Sequence, residues 1–155
     1  MTDLPDSVDY GPLSESLGFL LRLSQLRAFA DFFDGMAGLD VHPGELSVLL
    51  VLSANPGIRQ GVLARALTIK RAHMTKMVRA MERDGLVSRT VPQDDRRAVE
   101  LWLTDTGHAR VAALRPAFDT QQPRETARLT PDETTTLKRL LRKHIGLKEP
   151  DTPCP

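Results

Sequence analysis

At Gly85 the hydrophobic period of the chain changes from that of a helix to that of a strand. Before it, Met74, Met77, Val78 and Met81 recur at i, i+3, i+4 and i+7, which predicts a helix over residues 71–84 with its methionines facing a core. After it, "LVSRTV" and "VELWLT" alternate apolar with polar or aromatic residues, which predicts a hairpin. Gly85 suits the left-handed residue that ends a helix. A helix fed straight into a hairpin leaves few folds open, because the strands must pack beside the helix they follow.

Two shorter helices precede this unit. In "HPGELSVLLVLSANPGI", Pro43 fits a first helical turn and Asn55-Pro56-Gly57 stops the helix. In "RQGVLARALTI", Val62, Leu63, Ala66 and Leu67 form the apolar side. Two helices, a third helix and a hairpin in that order read as a winged helix-turn-helix over residues 41–103, so the expected fold is mainly α with a small β-hairpin wing.

The third helix carries Arg71, His73, Thr75, Lys76, Arg79 and Arg83 away from its methionines. A helix entering a major groove needs such a division, with polar side chains outward and apolar ones behind. Arg71 and His73 lie nearest the N-terminal end, where base contacts are made, and Thr75, Lys76 and Arg79 suit phosphates. The other reading is the wet face of an ordinary amphipathic helix, although acids occur there only at Glu82 and Asp84. Ile69 or Lys70 at the N-cap departs from the Ser, Thr, Asp or Asn favoured there.

Charge is distributed unevenly along the chain. The net charge is +1, yet residues 1–58 hold two basic and eight acidic side chains, residues 59–97 ten and four, and residues 98–155 nine and eight. A cationic centre between acidic and near-neutral flanks is what one face meeting phosphate requires, though charge alone does not distinguish it from a solvated cluster. Within that centre "VPQDDRRAVELWLT" sets two acids and two arginines on one short connection. A solvated loop tip, a salt-bridged turn and an arginine held against a polyanion all fit those four charges.

The flanks read as helices. Residues 13–39 lack an internal proline and place Leu17, Leu20, Leu21, Leu23, Leu26, Phe29, Phe32 and Phe33 on a face wider than one small core needs. Beyond the hairpin, Thr104-Asp105 starts a helix that Pro116 is expected to bend or interrupt and Pro123 to end. "LTPDETTTLKRLLRKHIG" carries a capping box from Thr130 to Glu133 and closes on cations and Gly146. Residues 1–12 are expected to be flexible and residues 147–155 disordered.

Several functions are disfavoured. No glycine-rich phosphate loop, nucleophile elbow or H-E-x-x-H is present, and aromatic residues are 5% of the 155, so an enzyme is not expected and no cofactor is implied. His42, His73, His108 and His144 stand more than thirty residues apart and the one cysteine is Cys154, so no metal site is expected. The acidic first residues do not form a secretory signal and no apolar run has membrane-spanning length, so a cytoplasmic protein is expected. The rival class is a winged-helix protein-interaction adaptor that does not bind DNA.

The stretch "GVLARALTIKRAHMTKMVRAMERDGLVSRTVPQDDRRAVELWLTDTG" resembles the MarR family of bacterial transcriptional regulators. It carries a leucine-alanine helix, a recognition helix closed by a glycine and an apolar pair, an Asp-x-Arg wing at Asp95 and Arg97, and a strand running into Leu103-Thr104-x-x-Gly107. With the long first helix, the NPG turn and the last two helices, the likeness extends over roughly residues 13–146. It implies a homodimer whose dimerisation helices are residues 13–40 and 104–146, binding an imperfect palindrome in double-stranded DNA. It sends Arg97 into the minor groove, has Asp95 orient it and Arg96 meet phosphate. It also implies a repressor released by a small molecule, such as an aromatic carboxylate or its CoA thioester. The candidates for that pocket are Phe19, Arg22, Arg27, His42 and Trp102, each of which could equally be core or surface. A peroxide-sensing cysteine in the first helix is excluded, because no cysteine precedes position 154.

Overall fold

A computed structural model describes residues 7–93 and 98–148. A single 3-10 turn at Gly11–Glu15 leads into α1 (Leu17–Gly35), followed by α2 (Pro43–Ala54), β1 (Ile58–Arg59), α3 (Gln60–Ala66) and α4 (Arg71–Arg83). Strands β2 (Val87–Thr90) and β3 (Glu100–Leu103) then form the base of the hairpin, and α5 (Asp105–Glu125) and α6 (Pro131–Ile145) complete the chain.

The first helix is shorter than the residue 13–39 span predicts. Ser16 caps α1 by accepting the Phe19 N–H at 3.5 Å, and its extended backbone separates the helix from the turn before it. At the other end Gly38 and Asp40 take positive φ values of 82° and 43°, which no right-handed helix accommodates. That connection is held from α5, where Arg110 Nη2 donates to the carbonyls of Leu39 at 2.6 Å and Asp40 at 2.9 Å.

The helix α5 overturns the expected interruption at Pro116 and the expected end at Pro123. It runs unbroken through both Pro116 and Pro123. A proline in a helix deprives the carbonyl four residues earlier of its donor. Ala112 and Pro116 lie on the exposed side, where water can satisfy that carbonyl, while Leu114 is fully buried and Ala117 and Phe118 pack on the core. Burial along the other side of the helix outweighs the lost bond.

Gly85 ends α4 as expected, with φ 69°. Its N–H donates to the Glu82 carbonyl at 3.1 Å and the Leu86 N–H to that of Met81 at 2.9 Å, the paired bonds of a Schellman motif. Met74, Val78 and Met81 are buried and Met77 packs beside them, against a core that includes Leu49, Leu52, Leu63, Leu101 and Leu114. The capping box of α6 is present, with the Thr130 N–H donating to Glu133 Oε2 at 2.8 Å and the Glu133 N–H to Thr130 Oγ1 at 3.3 Å.

Among the described residues the sheet has three antiparallel strands in the order β1-β3-β2, not the two of a lone hairpin. Ile58 pairs with Leu101 and Arg59 with Glu100, so the return strand of the hairpin is held on both edges. Val87 opposite Leu103 and Thr90 opposite Glu100 set the register of β2. Among the described residues no helix is long and apolar enough to cross a membrane.

Candidate nucleic-acid interface

The outward face of α4 is built by what lies behind it. With Met74, Val78 and Met81 buried, a step of about 100° per residue sends Ala72, Lys76, Arg79 and Arg83 along the middle of the opposite side. Arg71 and His73 flank that line at the N-terminal end, and all six are exposed. Lys70 occupies the N-cap with no side-chain hydrogen bond, so the first turn keeps backbone N–H groups and cations together.

Thr75 differs from its neighbours. Half-buried, it donates its hydroxyl to the Arg71 carbonyl at 2.9 Å and accepts from Gln60 Nε2 at 3.0 Å. Its hydroxyl proton is therefore spent inside the helix-turn-helix. The turn between α3 and α4 is made without glycine, by Thr68 at φ 54°, and closed by the Ile69 N–H on the Ala64 carbonyl at 2.8 Å.

The wing base is fastened to α4 by an ion pair, Arg89 Nη2 to Glu82 Oε2 at 2.8 Å. This pair uses Glu82, the acid within α4, and leaves the more central cations facing outward. Asp95, Arg96 and Arg97 lie outside the described residues. The described chain resumes at Ala98 and enters β3 at Glu100.

The five pocket candidates stand at three places in the fold, on α1, at the start of α2 and on β3. Phe19 packs on Tyr10 with ring centroids 5.7 Å apart, Arg22 is exposed and Arg27 half-buried on α1, and His42 is exposed at the start of α2. Trp102 covers Gly57 of the NPG turn: a Cβ built on that glycine would lie 2.7 Å from the indole. The cleft between α1, α2 and α5 has a volume of about 370 Å³ and is lined by Phe29, Phe32, Leu46, Leu50, Phe118 and buried Gln121, among others, and by none of the five. Ala28 and Pro43 of its wall sit one position from Arg27 and His42. Phe29 and Phe32 were visible in the sequence as helix periodicity, and Phe118 stood beyond a proline expected to interrupt its helix.

Residues 41–99 match the family model described as "MarR family". A "putative transcriptional regulatory protein for hcr operon" from Thauera aromatica is 34% identical over 153 residues, covering 98% of this chain and 91% of its own. The chain belongs to the MarR family. MarR proteins are transcriptional regulators and not enzymes, so the helices and small sheet of the described residues form a DNA-binding winged-helix protein.

Solved MarR-type structures show the same fold at close range. The transcriptional repressor CouR bound to a 23-mer DNA duplex superposes with a TM-score of 0.82 at 38% identity, covering 90% of this chain and 99% of that one. CouR bound to p-coumaroyl-CoA gives 0.76 at 36%, covering 90% and 98%. The family match over residues 41–99 thus lies within a chain whose fold is shared with these structures.

Proposed function

We propose that this regulator is a repressor that binds an imperfect palindrome as a homodimer and is released by a small molecule. The observation that carries the DNA reading is the exposed line of Lys76, Arg79 and Arg83 on α4, flanked by Arg71 and His73 and backed by buried methionines. In this reading Arg71 and His73 meet base edges, Lys76 and Arg79 meet phosphates, and Thr75 fixes the turn between them. Asp95, Arg96 and Arg97 of the wing keep the roles that the family likeness gives them. The likeness to a repressor solved on DNA supports the same assignment.

The dimer is supported by apolar surface left uncovered on two helices. Leu17, Leu20, Phe29 and Phe33 of α1 and Leu137, Leu140 and Ile145 of α6 are exposed large hydrophobics. Apolar surface of this kind is costly in water and suits a second copy. In this division residues 41–103 read DNA while α1, α5 and α6 join the protomers.

For the effector, the cleft between α1, α2 and α5 is the site proposed, in place of the five residues named from sequence. Its described lining is uncharged and rich in phenylalanine, which suits an aryl or acyl group presented by an aromatic acid or its CoA thioester. CouR, solved with p-coumaroyl-CoA, is the relative that favours the thioester.

A salt titration on random-sequence duplex tests the DNA reading. Affinity should fall steeply from low to moderate salt, and Arg97→Ala should weaken binding. No binding at low salt would overturn it in favour of a protein-binding adaptor.

A further inference from the structure

We propose that Gln60 is a positioning residue for DNA binding, fixing where the recognition helix stands relative to the wing. Gln60 opens α3 and is half-buried where three elements meet. Its backbone N–H donates to the Val99 carbonyl at 2.8 Å, at the foot of the returning wing strand. Its side-chain Nε2 donates to Thr75 Oγ1 at 3.0 Å, and that hydroxyl donates to the Arg71 carbonyl at 2.9 Å. One residue therefore links the wing to the first turn of α4 through three consecutive hydrogen bonds.

The geometry of reading explains why this link bears on recognition. The wing and α4 address different grooves, so their separation must match the duplex to within a fraction of a hydrogen-bond length. The core holds the back of α4 through Met74, Val78 and Met81, but methionine is unbranched and adapts to small shifts of its helix. A directional amide-to-hydroxyl bond at the N-terminal half restrains the helix where Arg71 and His73 stand. Thr75 is held rather than offered to the DNA, which explains its half-burial among exposed neighbours.

This inference rests on the DNA-binding reading above, and its test separates the two. The wild-type protein first selects its operator from a random duplex library; failure at this stage overturns the DNA-binding reading itself. Gln60→Leu keeps the backbone bond to Val99 and removes the bond to Thr75. It should weaken operator binding about tenfold, the loss expected for roughly one mismatched base contact. Affinity for random duplex and its salt dependence should be unchanged, since the phosphate-facing cations remain.

Thr75→Val removes the same bond from the other side together with the bond to the Arg71 carbonyl, so the double variant should bind the operator about as well as Thr75→Val alone. Multiplying losses would overturn the inference, as would an equal fall on operator and random duplex, which is what a merely structural role predicts. If Gln60→Leu does not fold, Gln60→Asn takes its place, with a side chain one methylene too short to reach Thr75. Unchanged operator affinity in a folded variant also overturns the proposal.

Discussion

A Cβ added at Gly107 would lie 2.1 Å from the carbonyl oxygen of Leu86, the residue that follows the glycine ending α4. That carbonyl accepts the Thr104 N–H at 3.1 Å, while the Thr104 hydroxyl donates to the Gly85 carbonyl and accepts the Gly107 N–H at 3.0 Å. The end of α4 and the start of α5 are thus interlocked, which is the physical reason for threonine and glycine three positions apart. Gly107→Ala gains about 1 kcal/mol of helix propensity, but a backbone collision at that distance forces the two elements apart. We expect a net loss of about 2 kcal/mol or more in urea unfolding, in the range for overpacking. A stability equal to wild type would show that the contact yields freely.

Gly57 and Trp102 make a second close approach, with an optical readout. Gly57 holds φ at 78° and its missing Cβ leaves room for the indole of the chain's one tryptophan. Gly57→Ala should cost about 1–2 kcal/mol from the left-handed backbone alone. It should also push the partly exposed indole outward and red-shift its emission. Unchanged emission together with unchanged stability would contradict this packing.

The cations of α4 should act on DNA through phosphate charge. Lys76→Ala and Arg79→Ala should each weaken binding to all sequences and lower the slope of log K against log salt by about 1. Arg115→Ala is the control, because that side chain pairs with Asp119 at 2.9 Å on the exposed side of α5. A slope altered as much by Arg115→Ala as by Lys76→Ala would move the interface away from α4.

The capping box gives α6 a dependence on pH. The Thr130 backbone N–H, and secondly its hydroxyl, hold the Glu133 carboxylate and lower its pKa from the usual 4.5. A group whose pKa is depressed by folding contributes stability that is fully present above the unfolded value and is lost as pH falls through the folded one. Acidification below about 4.5 should therefore weaken the start of α6. Glu133→Gln keeps an acceptor but cannot titrate, so its unfolding midpoint should fall less than that of wild type over the same acidic range. Parallel acid curves would exclude the effect.

The winged helix was legible because its signals are local. Met74 to Met81 repeat with the helical period, Gly85 ends the helix at one position, and Thr130 with Glu133 marks a start by spacing alone. The strand Ile58–Arg59 was not legible, since two residues cannot display a period and it exists only through pairing with Leu101 and Glu100. At Pro116 local backbone preference predicts a bend or an interruption, and burial of Leu114, which sequence does not reveal, keeps the helix continuous there. Cations beside aromatics point in the sequence to Arg22, Arg27 and Trp102, whereas the cleft proposed for the effector has a wall that joins Phe29, Leu46 and Phe118 across some ninety positions. Ala72 carries no charge to mark it in the sequence, yet it faces outward between Arg71 and His73.

The two prolines of α5 have a mechanical consequence. Each removes one rung from the ladder of backbone bonds, at Pro116 and again at Pro123, while the helix stays continuous between the buried Leu114 and the turn to α6. Bending a helix at such a point ruptures fewer bonds than bending it elsewhere. The rod joining the winged lobe to the C-terminal helix is therefore most compliant at two fixed joints, so displacement of one end can be taken up there without unravelling the rest.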